Sequence, residues 1–190
     1  MTDDASLAWE TIERTRVHAC EAFEVFTDRV RLPDGREARF DFVREPPSAV
    51  VLGLTADDGV VVLEEYRHAV ERVALGLPGG SREPADASMA ETAERELFEE
   101  AGYRASSFER FLVAEPANGL LDSERHYFVA HDCEPSGRTD RDHDESMRVT
   151  TLPYDDLVGR IVAGEVHDER TVTGVLAHRA RTRGDESKRP

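Results

Sequence analysis

Lysine is all but missing from this chain: Lys188 is the only one, so nearly all of the 24 basic residues are arginine. Cysteine is almost as scarce. Cys20 and Cys133 stand far apart in no Cys-x-x-Cys spacing, a pattern of packed thiols more often than of a disulfide or a metal site, and no role is assigned to them. No apolar run approaches the roughly 20 residues that a membrane-spanning helix needs. Positive charge is in short supply overall, with 40 acidic residues against 24 basic ones and a formal net charge of −16. Nucleic-acid binders draw most of their affinity from phosphate neutralisation, so this field excludes that class. It favours solubility and is better tolerated in salt, where self-repulsion is screened. The opening stretch MTDDASLAWE lacks the basic-then-apolar layout of a secretory signal, and the expectation is a cytoplasmic protein.

What is present is enough for one ordinary domain with an appendage: 190 residues, 39% of them hydrophobic. Within residues 9–44, Phe23, Val25, Val30 and Leu32 alternate with polar neighbours, then Pro33-Asp34-Gly35 supplies turn chemistry. Ala38, Phe40 and Phe42 alternate again, the period-two pattern of a hairpin. Pro46 and Pro47 punctuate the end. Residues 1–45 are therefore expected to form a small N-terminal β unit, residues 46–182 the main domain, and 183–190 a flexible tail. In the main domain, Ser48–Leu54 and Val60–Leu63 read as apolar strands, and Leu75 to Gly80 as a Gly- and Pro-rich loop. Ser88 to Ala101 has helical signals throughout: Ser88 with Glu91 as a capping box, Gly102 as the stop, and Met89, Ala93, Leu97 and Ala101 as a buried stripe. Strands over 108–115, 125–131 and 149–152, a polar loop over 134–146 and helices near 154–164 and 168–181 complete an α/β (α+β) pattern.

On the 88–101 helix, Glu96, Glu99 and Glu100 stand at i, i+3 and i+4, which brings three carboxylates within about 6 Å of one another. Such a cluster repels itself unless a cation neutralises it, and carboxylate oxygens suit Mg²⁺ or Mn²⁺ rather than Zn²⁺. Arg95 can pair with Glu99 one turn on. In so acidic a chain, a merely solvated helix face gives the same pattern. The setting favours chemistry, because the loop Gly79-Gly80 before the helix lets backbone approach a metal or phosphate closely.

The stretch Arg95-Glu96-Leu97-Phe98-Glu99-Glu100-Ala101-Gly102-Tyr103 resembles the second half of the Nudix box at all seven specified positions. Residues 60–80, residues 118–130 and the Leu32-Pro33-Asp34-Gly35 hairpin are similar to the ADP-ribose pyrophosphatase-like members of that family. The resemblance can be laid over residues 9–180, with the box its specific part. The first half of the box departs from the family pattern. Asp86 stands where the family has Glu, and one extra residue precedes Arg95.

The resemblance implies a Nudix α/β/α sandwich with a mixed sheet, plus the small N-terminal antiparallel β unit. It implies Glu96, Glu99, Glu100 and the Gly79 carbonyl as metal ligands for Mg²⁺ (or Mn²⁺), with Arg95 and Glu100 in the catalytic machinery. Glu145 aligns with the family's late-chain base, with Asp144 as its substitute; a solvated acidic loop is the alternative there. Arg67 and Glu124 align with substrate contacts, although a strand-end ion pair with Glu64 or Glu65 also accounts for Arg67. The implied reaction is hydrolysis of ADP-ribose to AMP and ribose 5-phosphate by a homodimer. Another nucleoside diphosphate sugar of the GDP-mannose or UDP-glucose type is the alternative substrate. A non-catalytic nucleotide-sensing Nudix domain is the alternative class.

Overall fold

A computed structural model describes residues 7–137 and 147–186. Three long strands open the chain: β1 (Glu10–Ala19), β2 (Glu24–Arg31) and β3 (Glu37–Arg44). Three more, β4 (Ser48–Gly53), β5 (Gly59–Arg67) and β6 (Arg72–Gly76), lead to helix α1 (Met89–Ala101). Then come β7 (Tyr103–Arg104), β8 (Ser107–Ala114), β9 (Leu121–Asp122), β10 (Arg125–His131), β11 (Glu134–Pro135) and β12 (Met147–Pro153). Helices α2 (Tyr154–Val162) and α3 (Glu169–Glu186) follow. The chain groups into two compact units: the residues up to Pro47 with Glu115–Glu124, and Ser48–Ala114 with the residues from Arg125 onward.

In the first unit β1, β2 and β3 form an antiparallel meander, and β9 runs parallel to β3. Pro33-Asp34-Gly35 makes the turn, with Gly35 at φ +86° and its N–H donating to Leu32 O at 2.9 Å. Because β1 is almost wholly exposed, apolar burial here is small. Phe26 and Phe42 are cross-strand partners with stacked rings 5.3 Å apart. Arg44 lies 4.8 Å from the Phe26 ring and Arg14 lies 4.9 Å from the Phe42 ring, so the guanidiniums add to what the small core provides. Arg14 also grips the buried Asp28 carboxylate at 2.9 and 2.7 Å, which holds that carboxyl below its ordinary range.

The second unit has two three-stranded sheets. In one, β10 lies between β4, to which it is parallel, and β8, to which it is antiparallel. In the other, β5 lies antiparallel between β12 and β6. Alternate residues of the central strands go to opposite faces, as the pleat requires. Ala49, Val51, Val61, Leu63, Phe128 and Ala130 share a core with Ala93, Leu97 and Ala101 of α1. Val50, Leu52, Val60, Val62 and Tyr127 share a second core with Leu157 and Ile161 of α2 and Val175 of α3. Burial on both faces explains why β4 and β5 read as unbroken apolar runs. The result is the α/β/α layering and mixed α+β fold that the resemblance implies. No helix among the described residues is long and apolar enough to cross a membrane.

Boundaries differ from the sequence reading at two places: α3 runs on to Glu186, into the segment expected to be tail, and the glycine-rich loop is shorter than expected. The loop starts at Leu77, because Arg72–Gly76 pairs with β5 as an edge strand. Its exposed Arg72 and Val73 give no clean alternation, and only the ladder to β5 defines it. Truncating the centre of the α1 core measures how far this unit depends on it. Leu97, fully buried, changed to Ala should cost about 2–5 kcal/mol. Urea unfolding checks this, and a loss under 1 kcal/mol would show that α1 is not the main clamp on that face.

Candidate active site

Helix α1 is delimited by its own residues. The Ser88 hydroxyl accepts from Glu91 N at 3.2 Å, and Glu91 reaches back to Ala87 N at 2.9 Å, one residue earlier than the usual reciprocal partner. Gly102, at φ +71°, closes the other end by donating to Phe98 O at 2.8 Å. The apolar stripe faces the core. Glu96 and Glu100, each 8% exposed, lie against the Gly79-Gly80 loop.

That loop is laid onto β4. Val51 N donates to Pro78 O at 2.8 Å and Ala49 N donates to Gly80 O at 2.9 Å. At Gly79, φ is +155°, and a Cβ would come within 2.2 Å of Ala49 O, so no other residue fits. Its N–H donates to Glu100 Oε2 at 2.8 Å. A Cβ on Gly80 would lie 2.5 Å from Glu96 Oε1, so this glycine leaves the space that the carboxylate fills.

Arg95 is the electrostatic centre. Its Nη1 is 2.9 Å from Glu96 Oε1, 2.8 Å from Glu99 Oε2 and 3.5 Å from Glu83 Oε1. Its Nη2 donates to Ser81 O at 2.9 Å and to Asp86 Oδ2 at 3.1 Å, while Nε donates to Asp86 Oδ1 at 3.2 Å. Burial opposes the guanidinium charge, but the bonds to Asp86 and Glu99 outweigh it and hold Arg95 above its ordinary value. Asp86 is only 7% exposed. It also accepts from Glu83 N at 2.9 Å and from Thr92 Oγ1 at 3.0 Å, and the Arg95 hydrogen bond above all holds its carboxyl below the ordinary range. The shorter side chain and the longer loop are thus absorbed together: the turn 83–86 folds inward and delivers Asp86 to Arg95.

The donor chemistry fits a hard divalent cation: carboxylates of Glu96, Glu99 and Glu100, and the backbone of a loop whose glycines admit close approach. Arg95 stands between Glu96 and Glu99. Among the described residues, no group of three His, Cys, Asp or Glu side chains forms a ready-made cage.

The other candidates lie elsewhere. Arg67 ends β5 in an ion pair with Glu65 at 2.8 Å, in a crevice shared with Asp168 and Arg170. Glu124 belongs to the first unit, where it lines an open cavity of about 530 Å³ with Phe42, Arg44 and Asp122. Glu145 and Asp144 lie outside the described residues. Two residues that the sequence reading passed over also touch the loop, Arg170 and Thr171 at the start of α3, and Asp168 is bonded to both. Asp168 before a helix is a capping signal, but nothing local announces the contact of Thr171 with Leu77, 94 residues away.

These features agree with the comparisons to known proteins. The family model for the NUDIX domain matches residues 44–172, more than half of the chain, and the chain belongs to the Nudix family. It is a Nudix hydrolase. An ADP-ribose pyrophosphatase of Bacillus subtilis (strain 168) is 25% identical over 90% of this chain and 92% of its own length. An ADP-ribose pyrophosphatase of Mycobacterium tuberculosis is 28% identical over 96% of this chain and 88% of its own. In fold, a crystal structure of an ADP compounds hydrolase matches with a TM-score of 0.81 at 20% identity, over 93% of this chain and 95% of that one.

The Asp86–Arg95 pair makes a pH-dependent claim. Asp86→Asn should cost about 1–3 kcal/mol at neutral pH. A depressed carboxyl pKa stabilises above the unfolded value near 4 and loses that contribution as pH falls through the folded value. The gap between wild type and variant in urea unfolding should therefore close in acid. A gap that stays constant down to the acid transition would assign the cost to packing instead.

Proposed function

We propose that the chain hydrolyses the diphosphate of a nucleoside diphosphate derivative in a Mg²⁺-dependent reaction, with ADP-ribose as substrate and AMP and ribose 5-phosphate as products. The observation that carries this reading is the set of Glu96, Glu99 and Glu100 gathered with Arg95 beside a loop whose path requires glycine at position 79. The choice of ADP-ribose is supported by the likeness to two ADP-ribose pyrophosphatases along most of the chain.

In this reading Glu96, Glu99, Glu100 and the Gly79 carbonyl would hold the metal, which would supply charge neutralisation at the phosphoryl oxygens and activation of water. Arg95 orients Glu96 and Glu99 through its contacts at 2.9 and 2.8 Å, and Asp86 in turn anchors Arg95. Glu100 serves both the loop and the metal. Arg67 and Glu124 take the substrate contacts and Glu145 the role of base that aims the water. The same reading makes the protein a homodimer; a monomer by light scattering at working salt would count against that part.

The test is hydrolysis of ADP-ribose with Mg²⁺ by wild type and by Glu100→Gln, in low and high KCl, beside a panel of other nucleoside diphosphate sugars. Metal-dependent AMP release should fall at least about 100-fold in the variant. Turnover confined to another sugar nucleotide moves the substrate and keeps the chemistry. A folded wild type that turns over nothing in the panel defeats the reading.

A further inference from the structure

The Leu77–Gly80 loop is gripped from two sides. On one side, Glu100 of α1 accepts the Gly79 N–H. On the other, the first turn of α3 meets it at two points. Thr171, fully buried, accepts the Leu77 N–H on Oγ1 at 2.9 Å. Arg170 donates from Nη1 to the Gly79 carbonyl at 3.4 Å. Both residues are tied to Asp168. Its Oδ2 accepts from Thr171 Oγ1 at 2.6 Å and from Thr171 N at 3.0 Å, and its Oδ1 accepts from Arg170 Nε at 3.3 Å.

Helix capping accounts for only one of these contacts, the Thr171 N–H on Asp168. The remaining contacts have a direction that the chemistry fixes. A hydroxyl has one proton, and here it goes to Asp168, so a lone pair of Thr171 faces Leu77. The helix turn packs beside Gly76, where a Cβ would make ordinary contact with Asp168 Oδ2 at 3.6 Å and Thr171 Oγ1 at 3.7 Å. A carbonyl oxygen has two lone pairs, so the one that Arg170 uses leaves the other available.

We infer that Asp168, Arg170 and Thr171 are positioning residues that set the direction of the Gly79 carbonyl and thereby the affinity for the divalent cation. This rests on the proposed role of Gly79 as a metal ligand. The relay acts through the loop: Thr171 fixes Leu77, Arg170 fixes the carbonyl itself, and Asp168 locks the two to each other. Outer partners of metal ligands typically change affinity 10–100-fold when lost.

The experiment is Mn²⁺ binding by electron paramagnetic resonance to wild type, Thr171→Val, Thr171→Ser, Arg170→Gln and Glu100→Gln, with circular dichroism to confirm folding. Thr171→Val should weaken Mn²⁺ at least about tenfold, and Thr171→Ser, which keeps the hydroxyl, should restore most of it. Arg170→Gln should also weaken it, and at saturating metal kcat should stay near wild type. Arg170→Gln decides the question if Thr171→Val does not fold. Wild-type binding that Glu100→Gln abolishes but folded Thr171→Val and Arg170→Gln preserve overturns this inference alone. Absence of Mn²⁺ binding in wild type overturns it together with the reading it rests on.

Discussion

The backbone of Gly79 lies so close to β4 that a single added carbon would stand 2.2 Å from the Ala49 carbonyl oxygen. With no side chain in the way, the loop continues the hydrogen bonding of the strand, and the Gly79 N–H turns toward α1. Glu100 can take that N–H only because the helix crosses the same strand with Ala93, Leu97 and Ala101 packed flat against it. Were the loop lifted, the carboxylate would lose its partner and Glu96 would lose the hollow over Gly80. Sheet, loop and helix are thus held in register by a backbone contact, and the charged groups are arranged on top of it.

Those charges share one cation, in a chain that carries −16 overall. One guanidinium serves Glu83, Asp86, Glu96, Glu99 and the Ser81 carbonyl. A planar fork with five N–H groups can address several separate acceptors, which an ammonium on a flexible stem does less well. Burial of two glutamates is tolerable in this company because each is paired, either with Arg95 or with a backbone donor.

Much of this could be read from the sequence, and the rest could not, for physical reasons. Helix α1 announced itself because its caps and its stripe are local: Ser88, Glu91 and Gly102 act within a turn of their own positions. Strands β4 and β5 were visible as apolar runs because both faces are buried. The spacing of Glu96, Glu99 and Glu100 needed only the helical period. Strand β6 was hidden, since an edge strand is defined by its neighbour rather than by its own pattern. Asp86 read as a departure from a motif. Only the folded turn shows that the shorter carboxylate still meets Arg95, and the distance along the chain does not report that. The contacts of Thr171 and Arg170 with the loop span more than 90 residues and leave no periodic trace.

The two cores of the second unit are built on the opposite faces of the same strands, β4, β5 and β10. A body whose layers share their central wall has no internal plane along which it can part. Sliding α1 over the sheet would open one core, and moving α2 and α3 would open the other; neither can happen without exposing side chains that are now dry. The carboxylates of α1 are therefore carried on a frame that resists shear from either side.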